Sequence, residues 1–335
     1  MYPEIDLQPC FATRDDVADV CVILVNYNTA HLLERCLGNL RRASAGLSVR
    51  VVIVDNASRD DSVTFIRAKF PDCILIANAV NVGFGRANNQ ALEFGDAPFV
   101  LLLNTDAFVY PNTLAKSLDH MRAHPRCGVL GAQLVDEAGR GLWRQGRRFP
   151  DPWQNFLLQI GLRGYRVDTD PGDVPVPGLD GSRAWPCDWV VGCYYMVRRE
   201  VLQQIGLFDP RYFLYFEEVD HCRAVGKAGW SVECLGDVQV IHVGGGSAET
   251  EGELTSSGRQ ISALQIESEL LYFRKHNGLV GVLSTILLAL LGNAIRSLKW
   301  VLKGRALSGA GVFWRNSATV CQLALQTRLG RQATR

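Results

Sequence analysis

The sequence predicts an α/β protein with a mostly parallel, buried β-sheet and a helical C-terminal extension. Three observations support this class. Short apolar runs alternate with helix-length segments, polar residues follow each run directly, and an uncharged stretch near the end gives way to a purely basic tail. The 335 residues are 47% hydrophobic and 21% charged, which favours a packed globular chain over disorder.

Four runs rich in β-branched residues and leucine predict the strands. The helix-length segments between them are typical of βαβ units, whose strands are buried on both faces. Segment 31–42 places its apolar side chains at helical spacing, and Asp60 and Asp61 precede a second predicted helix at 62–69. The predicted strands are residues 20–25, 51–54, 73–77 and 98–103.

The charge balance and the cysteine pattern exclude several classes of protein. With 35 Lys and Arg against 34 Asp and Glu, the net charge is +1, so we expect no nucleic-acid partner. Residues 1–19 carry five acidic side chains and no basic region ahead of an apolar core, which predicts a leader rather than a signal peptide. Ten scattered cysteines form no C-x-x-C pair, which favours free thiols over a zinc knuckle.

Polar residues crowd the carboxyl end of every predicted strand. In an open parallel sheet these ends meet at one edge, where ligands bind. We therefore expect four polar segments to outline a single site. They are residues 26–28, 55–58, 78–81 and 104–106.

No glycine-rich phosphate loop follows the first predicted strand. Without G-x-G-x-x-G or G-x-x-x-x-G-K-[ST] at that point, dinucleotide oxidoreductases and P-loop enzymes are disfavoured. Asp55, after the second strand, is suited to bind a base or ribose, although a helix N-cap or Asx turn explains it equally well. Asp106, after the fourth strand, is suited to hold a divalent cation against a diphosphate.

Seven short motifs follow one another along residues 20–250. They are VNYN at 25–28, VDNAS at 54–58, NVGFGRANN at 81–89, LNTD at 103–106, WVVG at 189–192, the FDP to YFEEVD block at 208–220 and IHVGGGS at 241–247. In this order they resemble the motifs of family 2 glycosyltransferases, and most closely the rhamnosyltransferase-like branch that builds bacterial cell-surface polysaccharides. Each motif alone is weak, but the series is specific.

The resemblance implies a GT-A fold, in which a Rossmann-like nucleotide-binding half joins an acceptor-binding half, and inversion at the anomeric carbon. It implies that Asp106 meets the donor diphosphate and a divalent metal, Mg²⁺ or Mn²⁺, and that His242 completes the metal shell. Taken alone, His242 is more typical of a structural histidine in a turn. The implied donor-binding residues are Asn26, Asn28, Asp55, Asn81, Gly83, Phe84, Arg86, Asn88, Asn104, Thr105 and Asp106.

Asn104 departs from the D-x-D pattern of many GT-A enzymes. The sequence Asn104-Thr105-Asp106 supplies one carboxylate where D-x-D supplies two. We therefore expect a weaker hold on the cation, with more of its coordination left to diphosphate oxygens and water.

Inverting transfer needs a general base that takes the proton of the acceptor hydroxyl. The run from Glu217 to Asp220 offers three carboxylates, and Glu218 stands where the family has an aspartate. Glu218 is therefore the predicted catalytic base, with Glu217 and Asp220 as alternates. The same acidic run also suits the N-terminus of a helix, where the dipole favours negative charge.

Trp189 and Gly192 are assigned to the acceptor side of the site, because the face of an aromatic ring can stack on a sugar. Packing in the core explains Trp189 equally well. Nearby, Arg144, Arg147 and Arg148 suit the diphosphate of a lipid carrier, or simply a solvated surface.

The C-terminal region combines an apolar stretch with a basic tail. Residues 279–295 hold no charge, but they are fewer than the roughly 20 residues that span a bilayer. Residues 296–335 carry eight Lys and Arg and no Asp or Glu, with Trp300 and Trp314 among them. We expect this region to lie on the cytoplasmic membrane surface; a buried bundle helix or a homodimer interface is the alternative.

The resulting hypothesis is an inverting, non-processive glycosyltransferase on the cytoplasmic side of the plasma membrane. It would move a sugar such as rhamnose from a dTDP-, UDP- or GDP-linked donor to a lipid-linked saccharide acceptor. The alternatives are a catalytically impaired nucleotide-sugar-binding scaffold and a nucleotidyltransferase. A processive synthase is disfavoured, because the Q-x-x-R-W motif of that class is absent. The predicted organisation is a leader at 1–19, a GT-A domain at 20–250 and a membrane-associating region at 251–335.

Overall fold

The computed structural model describes most of the chain: residues 11–142, 146–162, 184–243, 259–304 and 307–335, with the backbone alone at 259–262 and 307–308. Arg144, residues 1–10 of the predicted leader and the glycines of the last motif, 244–246, lie outside the described residues.

The described residues form strands and helices in alternation. The strands are β1 Val20–Asn26, β2 Val49–Asp55, β3 Ile74–Ala77, β4 Phe99–Leu103, β5 Ala107–Val109, β6 Cys127–Val135, β7 Gly146–Arg147, β8 Ala184–Pro186, β9 Trp189–Val190, β10 Tyr194–Arg198 and β11 Ser231–His242. The α-helices are α1 Ala30–Ala43, α2 Ser62–Lys69, α3 Phe84–Ala91, α4 Thr113–Ala123, α5 Pro152–Gln159, α6 Arg199–Ile205, α7 Glu217–Lys227, α8 Arg259–Leu302 and α9 Leu307–Gln326.

Within the described residues one large mixed sheet forms the centre of the molecule, in the order β3-β2-β1-β4-β10-β6-β11-β5, with β8 also paired to β11. Strands β1 to β4 run parallel, as do β6 and β11. Strand β10 lies antiparallel between β4 and β6. Every residue of β2, β4 and β6 is buried, because helices cover both faces. The predicted α/β fold with a mostly parallel sheet is confirmed.

The two predicted helices are present as α1 and α2. Asp60, rather than Asp61, accepts a hydrogen bond ahead of α2: its Oδ1 lies 3.1 Å from the backbone N of Ser62. Its Oδ2 accepts from the backbone N of Ala30 at 2.9 Å, so one carboxylate ties together the starts of both helices. The side of α1 that faces the sheet buries Leu33, Cys36, Leu37, Leu40 and Ala43.

The sheet brings the polar segments to one edge. Asn26 lies opposite Asp55 at the ends of β1 and β2, and β3 ends at Ala77 on the other side of Asp55. Strand β5, which follows β4 closely, pairs with the end of β11, so that His242 lies opposite Ala107. The carboxyl ends of parallel strands and the end of β11 therefore frame one crevice.

The C-terminal helices pack on each other and on α5. Helix α8 bends sharply at Gly278 (φ 66°, ψ −155°), a conformation that glycine adopts readily. Before the bend, Leu271, Tyr272 and Phe273 are buried against Tyr212 and Val219. By length and composition α8 is the one described helix able to cross a membrane, over Ala263–Leu302. The exposed large apolar side chains after the bend include Leu279, Leu283, Leu287, Leu291, Leu298 and Trp314.

The described end of the predicted leader is packed. Phe11 is buried, and the buried guanidinium of Arg50 donates to the backbone carbonyls of Thr13 and Arg14 at 3.2 and 3.0 Å. The nine described cysteines are all free, and six of them are buried. The boundaries at 19 and 250 stay predictions.

Candidate active site

Asn26 and Asp55 form a buried pair at the ends of β1 and β2. Asn26 Nδ2 donates to Asp55 Oδ2 at 2.7 Å and to Ser58 Oγ at 3.0 Å. The other oxygen of Asp55 accepts from the backbone N of Ser58 at 3.0 Å. Asp55 thus closes an Asx-type turn, and its side chain is buried.

Asn28 lies beside this pair in a left-handed conformation (φ 54°). Its Oδ1 accepts from the backbone N of Arg59 at 2.7 Å, and its own backbone N donates to Ser58 Oγ at 3.0 Å. Its buried Nδ2 has no hydrogen-bond partner among the described residues. A buried amide N–H without a partner is costly unless a ligand accepts from it.

The loop before α3 is fixed by close backbone contacts. Gly83 has φ 89°, and a Cβ there would lie 2.6 Å from the carbonyl oxygen of Phe213. The backbone N of Phe84 donates to that oxygen at 2.8 Å. Asn81 Oδ1 accepts from Asn56 Nδ2 at 2.8 Å. Gly83 therefore lets the loop before α3 approach the segment that precedes α7.

Arg86 and Asn88, both predicted to lie beside the nucleotide sugar, make contacts that secure α3. Arg86 Nε donates to the carbonyl of Pro210 at 2.8 Å, and Nη2 donates to the carbonyl of Arg335 at 3.3 Å. Asn88 Nδ2 donates to the carbonyl of Phe84 at 3.0 Å. Their assignment to the donor site stays a prediction.

The motif that follows β4 meets the end of β11. His242 Nε2 lies 3.4 Å from Asp106 Oδ1, and the backbone N of Val243 donates to the Asp106 carbonyl at 3.1 Å. Thr105 Oγ1 lies 2.9 Å from Thr29 Oγ1, and the backbone N of Asn104 donates to the Cys193 carbonyl at 3.0 Å. The two residues assigned to the metal are thus brought together from positions 136 residues apart.

This donor set fits a divalent cation. The Asp106 carboxylate and the His242 imidazole are 3.4 Å apart. Two ligands of one ion can have this separation, since metal–ligand distances of about 2.1 Å allow up to about 4 Å between the ligand atoms. Hard oxygen with one imidazole suits Mn²⁺ and similar ions. Two protein ligands leave several coordination positions for diphosphate oxygens, in keeping with the single carboxylate of the Asn104-Thr105-Asp106 sequence.

Helix α7 begins with the acidic run after two strained residues. Tyr215 and Phe216 have φ values of 70° and 68°, and left-handed backbone at such residues costs of the order of 1 kcal/mol or more each. This entry points both Glu217 and Glu218 into buried surroundings. The Oε2 atom of each has no hydrogen-bond partner among the described residues.

Burial sets the protonation of the two glutamates. It raises the pKa of Glu217 well above its ordinary value, and the neighbouring Glu218 raises it further. Burial also raises the pKa of Glu218, while backbone N–H groups and the charge of Arg147 act in the opposite direction. Gly192 borders this side chain: a Cβ on it would lie at ordinary van der Waals distance, 3.9 Å, from Glu218 Cγ. A carboxyl with a raised pKa is a stronger base once ionised.

Asp220 has a different environment. Its Oδ2 lies 2.6 Å from Lys275 Nζ, and its Oδ1 lies 2.6 Å from His276 Nε2 and 3.3 Å from Tyr212 Oη. Burial opposes its ionisation, but the hydrogen bonds from His276 and Lys275 outweigh burial and lower the pKa of Asp220. Both carboxylate oxygens join α7 to α8, which favours a structural role over that of a base.

Two adjoining cavities open on these groups. One, of about 670 Å³, is lined by His242, and the other, of about 870 Å³, by Glu218 and Trp189. Both include Arg147 and Val191 in their walls. Trp189 Nε1 donates to the carbonyl of Arg148 at 2.8 Å, and the guanidinium of Arg147 lies 5.2 Å from the centre of the Trp189 ring.

A family model described as glycosyl transferase family 2 matches residues 21–206, more than half of the chain. The chain belongs to glycosyltransferase family 2. Among curated relatives, an N-acetylglucosaminyl-diphospho-decaprenol L-rhamnosyltransferase of Mycobacterium tuberculosis is 29% identical over 236 residues, which is 66% of this chain and 75% of the relative. The rhamnosyltransferase WbbL of Escherichia coli is 23% identical, over 67% and 83% of the two chains.

The fold of this glycosyltransferase is GT-A-like. It superposes on the mannosyltransferase PcManGT from Pyrobaculum calidifontis, determined in complex with GDP-Man and Mn²⁺, with a TM-score of 0.54 at 17% sequence identity. The match covers 98% of this chain and 91% of the other. The predicted family and fold are therefore confirmed, and the chain is an enzyme of this class.

Sequence reasoning missed several residues of the site. Asn56 and Ser58 stand inside the VDNAS motif, and their hydrogen bonds to Asn81, Asn26 and Asn28 hold the crevice together. That motif was the available signal. No local signal marked the Phe213 carbonyl, because its role depends on the approach of a loop 130 residues away.

Proposed function

We propose that the protein is an inverting, non-processive glycosyltransferase that transfers a sugar, rhamnose in the leading hypothesis, from a nucleotide sugar to a lipid-linked saccharide. The observation that carries this proposal is the pair of adjoining cavities. One contains His242 of the Asp106–His242 pair, the other contains the Glu218 carboxyl, and Arg147 and Val191 line both. A donor and an acceptor bound in neighbouring spaces are the requirement for group transfer without a covalent enzyme intermediate.

The nucleotide of the donor would bind along the ends of β1 and β2, outside both cavities, so that its diphosphate and sugar would reach the cavity that contains His242. The Asp55 carboxylate would accept from the base or the ribose, and Asn28 Nδ2 would donate to the nucleotide. Asp106 and His242 would hold a divalent cation, Mg²⁺ or Mn²⁺, which when bound neutralises charge on the diphosphate leaving group. The names of the curated rhamnosyltransferases support rhamnose as the sugar.

Glu218 would act as the base. Its carboxylate takes the proton of the acceptor hydroxyl as that oxygen attacks the anomeric carbon on the face opposite the departing nucleoside diphosphate. The bond to the acceptor forms as the bond to the diphosphate breaks, so the configuration inverts. Burial raises the pKa of Glu218, and a base whose pKa lies nearer the operating pH is a more effective general base.

The acceptor and the membrane are linked in this proposal. The relative's name specifies an acceptor sugar on decaprenol diphosphate, a class of molecule that resides in a bilayer. Exposed leucines after Gly278, Trp314 and the basic tail suit peripheral attachment to the anionic cytoplasmic leaflet. Sedimentation with phosphatidylglycerol vesicles, compared with phosphatidylcholine alone, tests this part: equal binding to both would contradict the electrostatic contribution.

The experiment has two stages. Thermal unfolding is followed with dTDP-rhamnose, UDP-glucose, UDP-galactose and GDP-mannose, with and without Mn²⁺; a midpoint raised by one donor identifies it. Release of nucleoside diphosphate is then measured with that donor and a lipid-linked sugar. Stabilisation without any release would indicate a binding scaffold, and no stabilisation by any donor would remove the proposal's support.

Variants in the acidic run assign the base. Glu218→Gln should lower kcat by about 10²- to 10⁴-fold with donor affinity changed less than about twofold. Glu217→Gln, in the same helical turn, is the matched comparison, and Glu93→Gln on an exposed site is the control. A large loss in Glu217→Gln with none in Glu218→Gln would transfer the role to Glu217.

A further inference from the structure

The cavity of about 870 Å³ has walls from two parts of the chain. Glu218, Trp189 and Tyr215 lie on the catalytic side, whereas helices α5, α8 and α9 supply the other side. A molecule that fills this cavity and offers a hydroxyl to Glu218 therefore also contacts the C-terminal helices. These helices carry polar groups on the side that lines the cavity.

One polar group is a carboxylate paired with an amide. Asn155 Nδ2 donates to Glu269 Oε1 at 3.1 Å, and Gln159 Nε2 donates to Asn293 Oδ1 at 3.0 Å. The second oxygen of Glu269 accepts no hydrogen bond from the described residues, and both Asn155 and Glu269 line the cavity. Carboxylate and amide groups bind sugar hydroxyls, because each hydroxyl both donates and accepts.

Burial raises the pKa of Glu269 to about 7, against the hydrogen bond from Asn155, which lowers it. Near neutral pH this carboxyl therefore occurs in both protonation states and both donates to and accepts from a hydroxyl. Partial burial of the Glu269 carboxyl with one hydrogen-bond partner, Asn155, costs folding free energy. A helix that served only for packing would gain nothing from this cost. A ligand that completes its hydrogen bonds removes this cost.

A positive charge lies further along α8. Arg296 lines the same cavity, and its guanidinium lies 4.6 Å from the centre of the Phe313 ring. No carboxylate within the described residues forms an ion pair with it. A planar guanidinium without a counter-charge suits a phosphate group. On the same helix Leu287 and Leu291 are exposed, and the neighbouring Leu288 lines the cavity.

We propose, building on the transferase function above, that this cavity is the acceptor site. Glu269 with Asn155 binds the hydroxyls of the acceptor sugar, and Arg296 binds the diphosphate that joins this sugar to its lipid. The C-terminal helices thus determine acceptor class in addition to any part in membrane attachment.

Two acceptors with the same sugar test the proposal: undecyl-diphosphate-linked N-acetylglucosamine and undecyl N-acetylglucosaminide, which lacks the diphosphate. Arg296→Gln should raise KM for the first acceptor at least about tenfold more than for the second. Glu269→Gln should raise KM for both, by about tenfold or more. Arg67→Gln and Glu93→Gln change exposed residues that do not line the cavity and should keep the wild-type KM values.

Donor affinity, measured by calorimetry, reports whether each variant is folded. If the wild-type enzyme releases nucleoside diphosphate from no donor, the proposed function fails. If it is active and both variants keep wild-type KM values with intact donor affinity, the acceptor-site proposal alone is overturned. Should the glutamine variants lose donor binding, Arg296→Lys is measured instead: it should give a smaller, diphosphate-specific rise in KM, since an ammonium cannot bind bidentately, and no rise at all would overturn the proposal.

Discussion

The ion pair between Asp220 and α8 provides a stability prediction that also tests its role. Asp220→Asn removes a carboxylate whose side chain is 4% exposed and leaves its two partners, Lys275 and His276, in place. Removing one member of a buried ion pair costs about 3–5 kcal/mol. Lys275 keeps a second partner, Asp209, at 2.8 Å. We therefore expect the lower end, about 3 kcal/mol.

At a slope of about 2 °C per kcal/mol for a chain of this size, the thermal midpoint at pH 7 should fall by about 6 °C. Circular dichroism melts and urea unfolding measure this change. Because the pKa of Asp220 is lowered in the folded protein, its contribution is complete above the unfolded value of about 3.9 and is lost as the pH falls through the folded pKa. The difference between wild type and variant should therefore shrink in acid.

Glu137→Gln removes an exposed ion pair with Arg35, whose side chains are 64% and 44% exposed, and serves as the control, with an expected change below about 0.5 kcal/mol. An equally small change in Asp220→Asn would refute the energetic argument. A kcat lowered by about 10²-fold or more at a temperature where the variant is folded would instead identify Asp220 as the base.

Three further predictions concern separate features. Gly83→Ala places a Cβ 2.6 Å from the Phe213 carbonyl and should weaken donor binding at least about tenfold by calorimetry. The control is Gly46→Ala, with φ 76° and nothing within 4 Å, which should cost about 1 kcal/mol of stability and leave donor affinity unchanged. Asp106→Asn should raise the Mn²⁺ concentration for half-maximal turnover by about tenfold or more, while a chelator should abolish wild-type turnover reversibly; equal metal dependence would contradict the ligand assignment. Burial raises the pKa of Glu269 from 4.5 to about 7, so wild-type stability should fall by up to about 3 kcal/mol as pH rises through that interval, and Glu269→Gln should flatten this part of the urea-denaturation profile.

Local patterns predicted the parallel half of the sheet and the convergence of its polar ends. Alternating apolar runs specify βαβ units, and parallel pairing then brings Asn26 beside Asp55 without further information. The same reasoning could not find β10 between β4 and β6, because antiparallel insertion of a late strand depends on pairing across some 90 residues.

Long-range contacts also decided the roles of the acidic run. Sequence alone treated Glu217, Glu218 and Asp220 as candidate bases, and only the docking of α8 shows that Lys275 and His276 bind Asp220. The cavity wall formed by Glu269 and Arg296 was equally out of reach, since the pattern of α8 indicated apolar packing or membrane contact and not which side chains face Glu218.

The bend at Gly278 controls a distance as well as a direction. Residues 279–302 form a helix about 35 Å long, which packs with α9 and α5. A change of about 20° at the glycine moves the far end by about 12 Å. The height of the active site above any lipid surface on which these helices rest is therefore set by the backbone torsions of Gly278 together with the hydrogen bonds that join Asn293 and Lys299 to the segment of α5.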